Sequence, residues 1–243
     1  MNKTIIITGA SSGIGAATAR HFLDAGWTTG LIARREAPLQ DLAGDRANAI
    51  VLPCDVTDPD QVETAFDRFV AQTGRLDMLF NNAGMFGHAG PIDEVPVDSW
   101  LQVVNVNLTG MFLCARQAFR HMRAQDPQGG RIVNNGSISA HVPREGSVCY
   151  TSTKHAVTGL TRTLSLDGRP FDIACGQIDI GNARTDMVAA QNERQIAAGR
   201  QPDPSMDVQN VADALMYMAN LPLEANVQFM TVMATKMPYI GRG

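Results

Sequence analysis

Tyr150 and Lys154 stand four residues apart in the segment GSVCYTSTKHAV. On a helix that spacing puts both side chains on one face. A phenol ordinarily holds its proton until about pH 10. A cation beside it stabilises the phenolate, so such a pair can exchange a proton with a substrate oxygen. The plainer alternative is an amphipathic turn whose lysine lays its stem along the protein and its amine in water. Ser137, in GSIS, precedes the tyrosine by thirteen residues and offers a hydroxyl to an oxygen on which charge builds. Asn107, in NVNLTG, is a polar residue inside a helical pattern. Taken singly, each has a bland reading: a strand-end serine, a polar turn asparagine.

A proton-exchanging pair alone does not identify a reaction; it needs a cofactor beside it, and the amino-terminal segment points to one. The run KTIIIT leads straight into TGASSGIG, with Gly9, Ser11, Ser12, Gly13, Ile14 and Gly15. Glycine permits a tight turn and a close approach of backbone. A helix opening near Gly13 presents unpaired N–H groups and its positive end to a pyrophosphate. A lone glycine-rich turn is weak evidence, but at the first strand-to-helix turn it predicts a dinucleotide site. The second strand chooses the dinucleotide. NAD sites usually end this strand with a carboxylate for the ribose 2′-hydroxyl. Here the strand ends LIARRE, with Ala33 near the acidic position and Arg34 and Arg35 after it. Guanidinium pairs bidentately with phosphate, so NADP(H) is expected over NAD(H), with Glu36 as the rival if it turns inward.

The elements that must position these groups alternate. Strand-like runs are expected at 3–8, 29–33, 49–53, 76–81, 131–135, 172–178 and 227–233, with helical patterns near 13–25, 59–73, 98–123, 150–166 and 207–219. That order implies βαβ units and a mostly parallel sheet with helices on both faces. The nearly all-apolar strands fit a sheet covered on both sides. No linker or repeat divides the 243 residues, so a single doubly wound domain over 1–243 is expected. Residues 84–97 look like a loop, and 186–206 begin helically and break at Pro202 and Pro204; loops beyond strand carboxyl ends are where such folds hold ligands.

Composition excludes several classes. Net charge is −4 and no basic stripe forms, which argues against nucleic acid. No apolar run has the length of a membrane span. The amino terminus lacks the apolar stretch and cleavage site of a signal peptide, so a cytoplasmic setting is the default. Cys54, Cys114, Cys149 and Cys175 are scattered without a CxxC, as small buried residues rather than metal ligands or disulfides.

Together these motifs resemble the short-chain dehydrogenase/reductase family, over nearly the whole chain. TGASSGIG is similar to its cofactor motif. CDV supplies Asp55 and Val56 on the adenine side, and NNAG supplies Asn82, Ala83 and Gly84. NVNLTG carries the family's helix asparagine at Asn107, GSIS its serine at Ser137, and YTSTK its tyrosine and lysine, at the usual spacing. IGNARTDM resembles the segment whose threonine, here Thr185, contacts the nicotinamide. The resemblance implies a Rossmann-type seven-stranded sheet, hydride transfer between a nicotinamide and a carbonyl or alcohol, and a homo-oligomer, commonly a tetramer. It also implies a water held by Asn107 that links Lys154 to solvent. The sequence departs from the family pattern at Ile180, where proline is usual, at Thr153, at Gln177 and Asp179, and at the C-terminal VMATKMPYIGRG.

The expected substrate is a small molecule, a ketone or 3-oxo compound reduced to a secondary alcohol, or the reverse. Its pocket candidates are Met85, Phe86, His88, Ser139, His141, Val142, Arg144, Met187 and Val188, with the substrate region at about 185–206. The rival readings are an NAD(H)-dependent alcohol dehydrogenase of the same family, a non-catalytic NADP(H) sensor and a sugar-nucleotide epimerase.

Overall fold

Seven short apolar runs become seven parallel strands: Thr4–Thr8 (β1), Thr28–Ala33 (β2), Ala49–Pro53 (β3), Met78–Asn81 (β4), Gly130–Asn135 (β5), Ile173–Ile180 (β6) and Phe229–Val232 (β7). The computed structural model that shows them describes residues 2–197 and 199–240, without the side chains of 186, 187, 190, 191 and 194. The strand order is β3-β2-β1-β4-β5-β6-β7, and every pairing is parallel. The order reverses between β1 and β4, which opens a crevice at their carboxyl ends.

Alternation along β1 explains why the sheet needs helices on both sides. Ile5 and Ile7 face one core and Ile6 the other. The first core is closed by Phe22 on Gly13–Asp24 (α1), by Leu39 and Leu42 on Glu36–Ala43 (α2), and by Leu215 and Met218 on Gln209–Asn220 (α8). The second is closed by Phe66 and Phe69 on Pro59–Thr73 (α3) and by Cys114, Ala118 and Met122 on Met111–Ala124 (α5). Full burial of one such Phe contributes about 1.5–3 kcal/mol. The start of α3 is encoded locally: Asp58 caps it by accepting from the amides of Asp60 and Gln61, Pro59 opens it, and Gly74 ends it at φ +80. Val97–Val104 (α4), Val148–Gly168 (α6) and Asp186–Ala197 (α7) complete the α-helices among the described residues.

The structure differs from the sequence reading in three places. The helix expected at 98–123 is three pieces, α4, a π-helical turn at Asn105–Gly110, and α5. The turn lets Gly110 sit against Val56, where a β-carbon would be 2.8 Å from its side chain. Helix α2 was not expected; it is short and carries no side-chain cap. Strand β6 runs two residues further than 178, because isoleucine at 180 can stay in the ladder opposite Val232 where proline would end it. Residues 186–206 open helically as expected, with α7.

Candidate active site

At the first turn the chain doubles back so closely that only glycine fits. Gly9 and Gly13 have φ of +68 and +52. A β-carbon on Gly15 would lie 2.2 Å from the Gly9 carbonyl oxygen. Helix α1 then begins with no side-chain cap and no acidic residue in its first turn. Its amino-terminal N–H groups therefore face the cleft unshielded, as an anion site requires. The cleft has a volume of about 400 Å³ and runs from this turn past Arg34, Arg35, Asp55 and Val56 to Asn82, Ala83, Gly84, Ser137, Tyr150, Lys154, Ile180 and Thr185. These residues fit a nicotinamide dinucleotide: a glycine cradle at one end, and Ser137, Tyr150 and Lys154 at the other.

Asparagines hold the two ends in register. Thr8 Oγ1 accepts from the amides of Asn82 and Ala83, and Asn82 Nδ2 donates to the Thr8 carbonyl at 2.9 Å. Asn135 Nδ2 donates to Asn82 Oδ1 at 2.8 Å, and Lys154 Nζ donates to the Asn135 carbonyl at 2.6 Å. One chain of bonds thus joins β1 to the lysine on α6. Lys154 is buried, and its Nζ lies 5.5 Å from the Tyr150 ring centre. Phe86 stacks on the Tyr150 ring, with centroids 5.2 Å apart. The Arg144 guanidinium lies 5.7 Å from the Phe86 ring. Ser137 is buried at the end of β5, where its Oγ accepts from the Ser139 amide at 3.1 Å, leaving its own proton free to point elsewhere.

Of the sequence candidates, two sit behind the cleft wall. Gly15 is buried under the first turn, and Asn107 is fully enclosed. The Asn107 side chain accepts from the Met85 amide and donates to the Met85 carbonyl and to Thr153 Oγ1. It thereby pins the loop after β4 to α6, and Thr153 has a partner that explains its hydroxyl. Met85, Phe86, Arg144 and Val188 line the cleft; His88, Ser139, His141 and Val142 do not. The side chain of Met187 lies outside the described ones. Glu36, the rival for the ribose, bonds Gln40 along its own helix and is not part of the cleft lining. Burial and the nearby Asp55 and Asp58 push the Cys54 thiol up to about 12.

A second polar layer was unreadable from sequence. Gln177 and Asp179 lie on one face of β6, above Ile173 and Cys175. Gln177 accepts from Thr161 Oγ1 and donates to Thr158 Oγ1, both on α6, and to Asp179 Oδ1. Asp179 accepts from the Ser137 amide at 2.9 Å and from His141 Nε2 at 2.8 Å. The C-terminal segment packs Met237 and Ala234 against Ile138, which borders the cleft.

The comparisons with known proteins agree with this geometry. Residues 3–196 match the short chain dehydrogenase family. Over 224 residues the chain is 34% identical to cis-4-hydroxycyclohexanecarboxylate dehydrogenase of Sinomonas cyclohexanicum, covering 90% of this chain and 89% of the relative. A variant actinorhodin polyketide ketoreductase solved with NADPH superposes with a TM-score of 0.86 at 27% identity, over 96% of each chain. The 3-ketoacyl-(acyl-carrier-protein) reductase from Brucella melitensis, solved with NADH, gives 0.85 at 23% identity over 96% of this chain and 98% of that one, a likeness of fold. A match that spans most of the chain, on a scaffold with the cradle already in place, makes the protein a member of the short-chain dehydrogenase family, NAD(P)-using oxidoreductases of CH–OH and C=O groups.

Proposed function

We propose that the protein is an NADP(H)-dependent reductase that converts a ketone or 3-oxo group to a secondary alcohol, as one catalytic domain over 1–243 with its substrate region at about 185–206. The observation that carries this reading is the convergence of Ser137, Tyr150 and Lys154 on the cleft that also holds the glycine cradle. For NADP(H), the support is at the end of β2. Arg34 and Arg35 border the cleft there, Ala33 stands at the usual acidic position, and Glu36 is turned along α2. A guanidinium pairs with a 2′-phosphate that a carboxylate would repel.

When bound, the cofactor supplies the hydride. The residues of this chain supply orientation and the proton. Tyr150 donates its phenolic proton to the substrate oxygen, and Ser137 donates a hydrogen bond to the same oxygen as charge builds there. Lys154 spends one of its three N–H donors on Asn135. The other two serve a ribose hydroxyl and the phenol side, where the positive charge stabilises the phenolate left after proton transfer. Phe86, stacked on Tyr150, keeps the ring's orientation and excludes water from that side. Asn107 acts in this reading as the brace between the Met85 loop and α6.

The substrate pocket is apolar where Met85, Phe86, Ile138 and Val188 form it, with one guanidinium at Arg144. A medium-sized ketone fits such a wall. Exposed Val97, Trp100, Leu101 and Phe112 on adjacent helices support a homo-oligomer, dimer or tetramer. The reading goes with a cytoplasmic setting, where a reduced NADPH pool drives reduction. An NADPH-consumption screen across carbonyl classes, run with Tyr150→Phe beside the parent, tests it. The expected result is turnover on some ketones that Tyr150→Phe loses while still binding NADPH. Undiminished turnover in that variant, or no turnover on any carbonyl despite tight NADPH binding, would refute the reading.

A further inference from the structure

Among the described residues, Asp179 is the one buried carboxylate; the other buried charges are Arg131 and Lys154. Arg131 has an evident structural task, since its guanidinium gathers the carbonyls of Leu221, Pro222 and Ala225. Lys154 belongs to the cleft. A buried carboxylate is costly unless donors surround it, and an apolar residue is often the more stable choice. Asp179 therefore needs a reason, and its partners give one.

The short turn Ile138–Ala140 is flanked by Ser137 at its start and His141 at its end. Asp179 holds both flanks. Its Oδ1 accepts from the Ser137 amide and its Oδ2 from His141 Nε2. The same Oδ1 accepts from Gln177 Nε2 at 2.7 Å, and Gln177 is bonded to Thr158 and Thr161 of α6. That helix carries Tyr150 and Lys154. The two parts of the site come from separate elements, the end of β5 and the start of α6. Gln177 and Asp179, on the strand beside β5, are bonded to both. Gly136 completes the fit: a β-carbon there would lie 2.1 Å from Asp179 Oδ1, so the carboxylate comes directly against the backbone before Ser137.

We propose that Asp179, held by Gln177 and His141, is a positioning residue whose carboxylate sets the turn bearing Ser137 against the helix bearing Tyr150 and Lys154. It rests on the reading of Ser137 given above. The test measures kcat, KM and NADPH affinity for Asp179→Ala, Asp179→Asn and His141→Ala, each alone and combined with Ser137→Ala. Asp179→Ala is expected to lower kcat about tenfold or more, because small misplacements of a reacting group are expensive, with NADPH affinity unchanged. Asp179→Asn keeps an oxygen for the Ser137 amide and is expected to restore most of kcat. Over Ser137→Ala, the substitution at 179 is expected to add nothing, since the hydroxyl it positions is gone.

Losses that multiply in the double variant would overturn the proposal, as would an Asn variant no better than Ala. If Asp179→Ala does not fold, His141→Ala cuts the same clamp at its other flank. A several-fold fall in kcat that vanishes over Ser137→Ala supports the proposal; an unchanged kcat overturns it. Full turnover by Ser137→Ala alone overturns the site reading and this inference with it, a pattern distinct from multiplying losses.

Discussion

Replacing Gly15 with alanine tests the cradle most directly. The added carbon would lie 2.2 Å from the Gly9 carbonyl oxygen and 2.7 Å from Asn82 Nδ2, where ordinary contact begins at 3.4 Å. Neither neighbour yields easily. Gly9 is backbone in a left-handed turn, and Asn82 Nδ2 is bonded to the Thr8 carbonyl. The amino end of α1 must therefore back away from β1 by roughly 1 Å. Overpacking of this kind costs about 1–3 kcal/mol, and rigid partners put it at the upper end. For a chain of this size each kcal/mol moves Tm by about 2–4 °C, so Tm should fall by about 6–12 °C. The shift also carries the N–H groups of α1 beyond hydrogen-bond length from a bound pyrophosphate. Losing one charge-assisted bond, about 1.5–3 kcal/mol, raises the NADPH Kd roughly 10- to 100-fold. Thermal melting and NADPH fluorescence titration measure the two effects. Gly159→Ala is the control: it lies exposed in α6 with nothing near its β-carbon position, so Tm should rise by about 1–4 °C. A Gly15→Ala protein with unchanged Tm and Kd would refute the close-approach argument. Equal falls at both positions would do the same.

Two further outcomes follow from the site. Arg34→Ala with Arg35→Ala should lower kcat/KM with NADPH by roughly tenfold and leave NADH nearly untouched, a modest effect because both side chains are exposed and screened; parity of NADH and NADPH in the parent would overturn the assignment. Burial holds the Cys54 and Cys175 thiols up at about 12, where an ordinary thiol ionises near 9.0. The folded state then binds more protons than the unfolded above pH 9, so stability is intact below that pH and declines as pH rises toward 12. Urea midpoints at pH 8, 9 and 10 check this; a midpoint that rises with pH would contradict it, as would alkylation of native Cys54 at pH 8.

Sequence patterning carried the sheet because β1 and β4 are buried on both faces and read as nearly unbroken apolar runs. That the first glycine turn, Ser137, Tyr150 and Lys154 line one cleft was legible because the motifs fall at strand ends and helix starts. The π-helical turn at Asn105–Gly110 was not, since it adds one residue to a 3.6-residue period and leaves the apolar face intact. Helix α2 escaped because eight residues around Pro38 carry neither a cap nor a long stripe. Gln177 and Asp179 looked anomalous in a strand. Their partners, at 137, 141, 158 and 161, become neighbours only when β6 lies between β5 and α6.

The contact between Gly136 and Asp179 imposes an order on change. With Asp179 present, any side chain at 136 strikes its oxygen, so substitutions at 136 are closed to the protein. Shortening 179 first removes the nearest obstacle, and Gln177 Nε2 and Cδ, 2.6 and 2.8 Å from the same β-carbon position, must shift as well before 136 admits alanine. Once such a residue has settled there, restoring the carboxylate is blocked in turn. The order holds in reverse: glycine must return at 136 before the carboxylate can return at 179, since the opposite order passes through a clash.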